Sequence, residues 1–309
     1  LKMKTTDANL WGVDLGGTKI ECAVLDRTDP TRIVARKRID TEAFKGYLHI
    51  INQVKRLVDE VALLIDEYPV QVGFATPGVL DPRTQTMKNC NTVSMNGQAM
   101  AADLAAILAC EVSLANDANC FALAETHLGA VMDVCPGAEI VFGIIMGTGV
   151  GGGLVAHGKV VKGVHGIGGE WGHNILEENG DACYCGKAGC VEHVISGPAL
   201  ELFYSRQSGH SLRLPQIMEA YFAGSDSAAI ATVERLLENY GRAVSTLINV
   251  LDPDVIVVGG GVGNIDLLYT EGYNRIRKYI FNSGEVNTPI VKPKLGDSAG
   301  VFGAAMLYA

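Results

Sequence analysis

Leu10-Trp11-Gly12-Val13-Asp14-Leu15-Gly16-Gly17-Thr18-Lys19-Ile20-Glu21-Cys22-Ala23-Val24-Leu25 is the stretch on which the fold turns. Leu10–Asp14 is a short apolar run that ends in an acid. Two glycines and a hydroxyl follow, then a second strand-like run over Ile20–Leu25. This pattern predicts a β-hairpin, to which Ile33–Ile39 adds a third strand. Consecutive glycines let backbone N–H groups point into one concavity suited to phosphate oxygens. Asp14, at the strand end, is placed to hold a Mg2+ that bridges phosphates through water. Walker A spacing is absent, and an ordinary hairpin turn accounts for the same residues equally well.

Outward from this hairpin, Leu48, Ile51, Val54, Val58, Val61 and Ile65 recur at helical spacing and predict a helix within Phe44–Tyr68. Val70–Ala75 reads as a buried strand ending at Thr76-Pro77-Gly78. A helix over Ala99–Ala109, a strand over Glu111–Ala115 and a helix over Ala118–Leu128 complete an α/β unit. The pattern then restarts. Glu139–Met146 is a strand, Gly147–Gly153 a glycine turn and Leu154–His157 its return strand. Gly158–Gly197 is rich in loops; helices are expected over Leu200–Arg206, Pro215–Phe222 and Ser227–Leu251. Asp254–Val258 is a strand, and a final helix covers Gly300–Tyr308. Two α/β halves, each opening on a glycine-rich hairpin, form a weak repeat of architecture rather than of sequence.

The second turn offers Gly147, Thr148, Gly149, Gly151 and Gly152 to phosphates, with tight β-turn packing as the alternative. The third, Gly259-Gly260-Gly261, ends a strand before a helix; it suits an adenosine against its backbone, or a plain helix start. Together the three turns are more specific than any one of them.

The chain carries 37 glycines in 309 residues but only 10 prolines and no Gly-X-Y period. That is roughly fifteen glycines more than average composition supplies, and it excludes collagen-like and disordered classes. A net charge of −9 argues against a binder of nucleic-acid backbones, while leaving room for a small anionic ligand. Hydrophobic residues at 48% suffice for a large core. Ile140–Ala156 is uncharged, but its glycines and short length predict a strand pair rather than a membrane span. Leu1–Asp7 is polar and lacks the apolar segment of a signal peptide. A start at Leu1 suggests a tag remnant or a trimmed chain, and a cytoplasmic protein without a membrane partner is expected.

Eight cysteines without an export signal read as thiols or metal ligands. Cys22, Cys90, Cys110, Cys120 and Cys135 are scattered among apolar residues and read as packing. His173 followed by Cys183-x-Cys185-x4-Cys190 is the ligand set of a tetrahedral structural zinc site, closed to water. Coincidental reduced cysteines are the alternative; a redox pair would need Cys-x-x-Cys spacing. In Asn116-Asp117-Ala118-Asn119, Asp117 is either a helix N-cap or a general base. Asn91, Asn116, Asp117, Glu170, His173 and Glu192 together form a set of acceptors and donors suited to a polyol.

These residues resemble the ROK family of bacterial sugar kinases and related repressors over nearly the whole chain. The likeness rests on Asp14–Lys19, Pro77-Gly78, Ala115–Asn119, Gly147–Gly153 and Gly169-Glu170-Trp171-Gly172-His173. It continues through Cys183-x-Cys185-Gly186-x-x-Gly189-Cys190-x-Glu192, Asp252-Pro253-Asp254, Gly259–Gly261 and Gly296-Asp297. The resemblance implies an actin-like ATPase (ribonuclease H-like) α/β fold, with ATP in a cleft between two α/β domains. A small N-terminal domain over 1–118 would be rejoined by the C-terminal helix at about 298–309; a large domain over 119–297 would carry the zinc loop.

Within the family, the chain most resembles bacterial fructokinases of the manno(fructo)kinase type, in Asn91-x4-Asn96-Gly97, Gly169–Asn174, Cys183-Tyr184-Cys185-Gly186-Lys187, Ser208-Gly209-His210 and Leu251–Asp254. N-acetylglucosamine kinases share Asn116–Ala122 and the glycine turns but more often carry Phe at position 171. Glucokinases commonly carry an Asn-Leu-Pro and Trp arrangement where this chain has Thr92 and Met95. The resemblance implies Asp117 as general base, Asp14 beside Mg2+, and phosphate contacts from Gly16, Gly17, Thr18, Lys19 and the two later turns. Gly78, Asn91, Asn116, Glu170, His173 and Glu192 would orient the sugar, His173 holding zinc through one ring nitrogen and a sugar hydroxyl through the other. Fructose going to fructose 6-phosphate is the expected reaction, mannose a second substrate, and N-acetylglucosamine or glucose the alternatives. A repressor needs about sixty or more residues of helix-turn-helix domain, which the early Asp14 leaves no room for here. A homodimer or higher homo-oligomer is implied, with no nucleic-acid partner.

Overall fold

The computed structural model describes residues 4–309, so Leu1–Met3 of the polar N-terminus lie outside it. The chain divides into two compact units: residues up to Pro136 with Gly153–Gly169 and Lys294–Ala309, and Gly137–Gly152 with Glu170–Pro293.

The first unit is built on the sheet that the hairpin starts. Asn9–Leu15 pairs antiparallel with Lys19–Asp26, which pairs antiparallel with Ile33–Asp40. On its other side Asn9–Leu15 pairs parallel with Gln71–Thr76, and that strand with Glu111–Asn116. Leu10, Trp11, Val13 and Leu15 are all buried, so this central strand is covered on both faces. Ile33–Asp40 lies at the sheet edge, where Arg36, Lys37 and Arg38 discourage further strand pairing. The helix Tyr47–Ile65 buries Ile50, Ile51, Val54, Leu57, Val58 and Val61 against the sheet. It takes in every apolar position from Leu48 to Ile65 and is bounded by Gly46, at φ 90°, and by Asp66, left-handed at φ 54°. A small ribbon, Val79–Leu80 with Met87–Lys88, was not anticipated by the sequence pattern.

The final helix, Ala299–Met306, lies across this sheet and against the helix Asp117–His127. Contact is so close that a Cβ on Gly73 would stand 1.8 Å from the Ala304 carbonyl oxygen, and one on Gly303 1.8 Å from that of Cys120. Part of the glycine surplus therefore serves helix packing rather than ligand contact. The same packing draws residues 119–136 into the first unit, beyond the boundary expected at 118. Glu125, fully buried, accepts the N–H groups of Ala130 at 2.8 Å and Leu295 at 2.9 Å, fixing how the last segment enters.

In the second unit, Ile140–Met146 pairs parallel with Val255–Gly259, which pairs with Ile290–Val291. The 25-residue helix Ser227–Leu251 starts at Asp226, whose carboxylate accepts the N–H groups of Ala228 and Ala229. Among the described residues no helix is long and apolar enough to cross a membrane; the uncharged Ile140–Ala156 stretch forms two strands. The glycine turn is shorter than expected. Gly147 N–H closes on the Gly149 carbonyl at 2.9 Å, and the return strand already begins at Val150. Gly151 and Gly152 thus lie in a strand, not in the turn where the sequence pattern put them. Their lack of side chains reads as a turn signal in sequence but is compatible with strand backbone.

Candidate active site

In the first unit the Gly16-Gly17-Thr18 turn is held at both ends. Gly16 N–H donates to the Lys19 carbonyl at 3.0 Å, while Thr41 donates its N–H to the Thr18 carbonyl and its hydroxyl to the Gly16 carbonyl at 2.7 Å. The turn consequently presents Gly17, Thr18 and Lys19 to solvent on a fixed backbone. Thr41 carried no sequence signal, because its contact with the turn arises only through the third strand.

Asp14 is the last residue but one of the strand behind this turn. A Cβ on Gly300 would meet its carboxylate at 2.5 Å, so the final helix can lie there only with a glycine. Burial raises the Asp14 carboxyl to about 6; the like charges of Asp117 and Glu21 push the same way, and Arg38 opposes them. Glu21 is itself buried and paired with Arg36 and Arg38. A carboxylate among neighbouring negative charges is a fitting place for a divalent cation, which takes oxygen ligands. The donors present therefore fit Mg2+.

The two readings of Asp117 separate here. Asn116, not Asp117, is the N-cap: its side chain accepts the Asn119 N–H at 2.9 Å. Asp117 is the first helical residue, open to solvent on one side but otherwise closely surrounded by protein. That surrounding raises its carboxyl above the ordinary carboxylate value, while the Ala118 N–H, donating to it at 2.8 Å, works the other way. Nearby, Gly78 is buried against the Cys90 segment, and the exposed Asn91 follows on that segment. Asn96 shapes this loop by accepting the Cys90 N–H and donating to the Cys90 carbonyl.

In the second unit, the glycine turn at Gly147–Gly149 is tied to the cysteine loop. The Gly197 N–H donates to the Gly147 carbonyl, and Glu192 accepts the Val150 N–H at 3.0 Å. Gly259 caps the short helix Gly260–Gly263, leaving Gly260 and Gly261 exposed at its start; Gly260 has φ 83°. Trp171 is buried, stacks edge-on to Phe142 and donates its indole N–H to the Gly151 carbonyl at 3.0 Å. This anchors the segment that carries Glu170 and His173.

Ligand atoms of His173, Cys183, Cys185 and Cys190 all lie within 4.8 Å of one another. Cys183 Sγ stands 3.6 Å from His173 Nδ1, and Cys185 Sγ 3.5 Å from Cys190 Sγ. A tetrahedral ion with metal–sulfur bonds of about 2.3 Å would separate its sulfurs by about 3.7 Å, so the four side chains fit zinc. His173 Nδ1 is the nitrogen that faces the cysteines. Its Nε2 instead meets the Tyr184 hydroxyl at 3.0 Å, with the two rings edge-to-face. Burial, then the charges of Glu192, Cys183 and Glu170, push this phenol up to about 12, which brings Glu170, His173, Tyr184 and Glu192 into one neighbourhood. Tyr184 was visible in sequence only as part of a motif; its contact with the histidine was not.

The ROK family model matches residues 10–309. The chain belongs to the ROK family. An N-acetyl-D-glucosamine kinase of Aliivibrio fischeri is 35% identical over 313 residues, 96% of this chain and 98% of that one. Among solved structures, a ROK hexokinase from Thermus thermophilus superimposes with a TM-score of 0.85 at 30% identity, covering 97% of each chain. A ROK glucokinase from Streptomyces griseus, in complex with glucose and AMPPNP, reaches 0.75 at 25% identity over 97% of this chain and 98% of its own. These near full-length matches are to sugar kinases, and they group this ROK chain with the family's enzymes. None of these three is named a fructokinase, so the finer likeness expected from the sequence motifs finds no support among them.

Proposed function

We propose that this ROK chain transfers the γ-phosphoryl group of ATP to a hydroxyl of a hexose, with N-acetyl-D-glucosamine as the first candidate. The observation that carries the chemistry is the division of labour at residues 116 and 117. Asn116 caps the helix through the Asn119 N–H, and the Asp117 carboxylate, which takes the adjacent Ala118 N–H, keeps lone pairs for a substrate proton. A base whose pKa is raised toward the working pH accepts a proton better than an ordinary carboxylate. Phosphoryl transfer asks little more of a side chain than this, since positioning and charge neutralisation supply most of the rate.

The Gly16–Thr18 and Gly147–Gly149 turns would grip phosphates through backbone N–H groups, with Gly260 and Gly261 against the adenosine. Asp14 would hold Mg2+, which when bound neutralises charge on the phosphates. Gly78, Asn91, Asn116, Glu170, His173 and Glu192 would orient the sugar. His173, Cys183, Cys185 and Cys190 would hold zinc, whose contribution is rigidity of the sugar-binding loop.

N-acetyl-D-glucosamine stands first because the relatives of that name are 34–36% identical over 96% of the chain. Fructose is the second reading, favoured by Trp171 in its anchored position and by the Cys183-Tyr184-Cys185 sequence. A coupled ATP assay with N-acetylglucosamine, fructose, mannose and glucose separates them. The first reading expects the highest kcat/KM with N-acetylglucosamine; a preference for fructose replaces it with the second, and turnover of none removes the kinase assignment.

A further inference from the structure

Within the first unit lies a recess of about 190 Å3, bordered on one side by the amides of Gln85, Asn116 and Asn119. Its walls are mostly apolar: Val79 and Leu80 from the small ribbon, Pro82 from the turn that follows, and Leu114 from the last strand of the sheet. The loop that follows Val160 closes it. Gly166 packs so tightly there that a Cβ would stand 2.6 Å from the Leu80 carbonyl oxygen. Lys88 holds ribbon and loop together, donating to Asp81 at 3.0 Å and to the His165 carbonyl at 2.8 Å.

One charge lines this recess, that of Lys162. Among the described residues its ammonium donates only to the Ser113 hydroxyl, at a long 3.4 Å, and forms no ion pair. Lys88, which ties the ribbon to the loop, is paired with Asp81. Lys162 remains open to solvent, yet the protein around it lowers the pKa of its ammonium. A cation in a concavity without an anionic partner keeps a desolvation cost that an incoming anion would offset. The shape of the walls narrows the choice. Phosphate needs several cations or N–H donors to replace its water, whereas a carboxylate on a short aliphatic tail needs one cation and an apolar surface.

We propose that this recess binds a small aliphatic carboxylate, its carboxylate on Lys162 and its tail against Val79, Leu80 and Leu114. Asn116 borders both this recess and the proposed sugar site, but the proposal does not rest on the sugar-kinase reading, because butyrate occupancy is measured without sugar or nucleotide.

The test is a titration of the full chain with butyrate, followed by NMR or calorimetry, beside parallel titrations with 1-butanol and inorganic phosphate. Butyrate should bind saturably, and about tenfold or more tighter than butanol, which has the tail without the charge. Lys162→Met should remove that preference, and Lys162→Arg should keep it, with unchanged melting temperatures showing that both variants fold. Absence of butyrate binding, equal binding by Lys162→Met, or phosphate binding that Lys162→Met abolishes in place of butyrate binding would each overturn the proposal.

Discussion

Glu192 accepts the backbone N–H of Val150 at 3.0 Å, two residues after the Cys190 thiol and one residue after the glycine turn at Gly147–Gly149. The same carboxylate lies where a Cβ on Gly149 would approach it to 2.5 Å. The cysteine loop and the second glycine turn are thus one mechanical piece. Loosening the loop should be felt at the turn. Cys183→Ser is expected to lower bound zinc below one ion per chain by elemental analysis, and to raise the KM for both sugar and ATP. An unchanged Kd for a non-hydrolysable ATP analogue in the zinc-free protein would show that the turn stands without the loop.

Asp14 predicts a pH dependence of defined sign. Its carboxyl is raised to about 6, chiefly by burial. The fold therefore favours the neutral form, and ionisation above that pH costs the free protein stability. The cost is fully present at pH 7 and vanishes as pH falls through 6 toward the unfolded value. Asp14→Asn should stabilise the metal-free protein at pH 7 by about 2–3 kcal/mol, an upper bound given partial solvent access, and lose Mg2+-dependent nucleotide binding. In the parent protein that binding should weaken by one proton's worth as pH drops below 6. Calorimetric titrations at pH 5, 6 and 7 check it; a pH-independent affinity would contradict the role.

Tyr184 offers a hydroxyl to the ring nitrogen that the family resemblance reserves for a sugar hydroxyl. The phenol then competes with substrate. Tyr184→Phe should lower the KM for sugar about two- to fivefold, the worth of one partly exposed hydrogen bond, while kcat and zinc content hold. A rise in KM would mean that the phenol orients the histidine rather than occupying its place.

What the sequence made legible follows from the range of the interactions. Each glycine turn, the hairpin at Asp14 and the helix at Ser227–Leu251 are encoded within a few residues, by periodicity and by glycines after apolar runs. The cysteine cluster was legible because all four ligands fall between His173 and Cys190. Contacts made across the fold were not. Thr41 reaches the first glycine turn only through strand pairing, Gly300 makes room for Asp14 only because the last helix returns to the first sheet, and residues 119–136 join the first unit for the same reason. Gly151 and Gly152 misled because a glycine in a strand and a glycine in a turn look alike in one dimension. Sugar preference depends on small differences in pocket shape worth about 1–3 kcal/mol, which the sequence motifs and the similar proteins weigh differently.

The central claim is that Asp117 accepts the sugar proton while Asn116 caps the helix. Asp117→Asn keeps the size and position of the side chain and removes its basicity. Steady-state kinetics of this variant, with sugar affinity measured separately by calorimetry, tests the claim most directly. The account predicts a kcat lower by about 10^2–10^4-fold with sugar affinity within a few-fold of the parent. A near-normal kcat would contradict it.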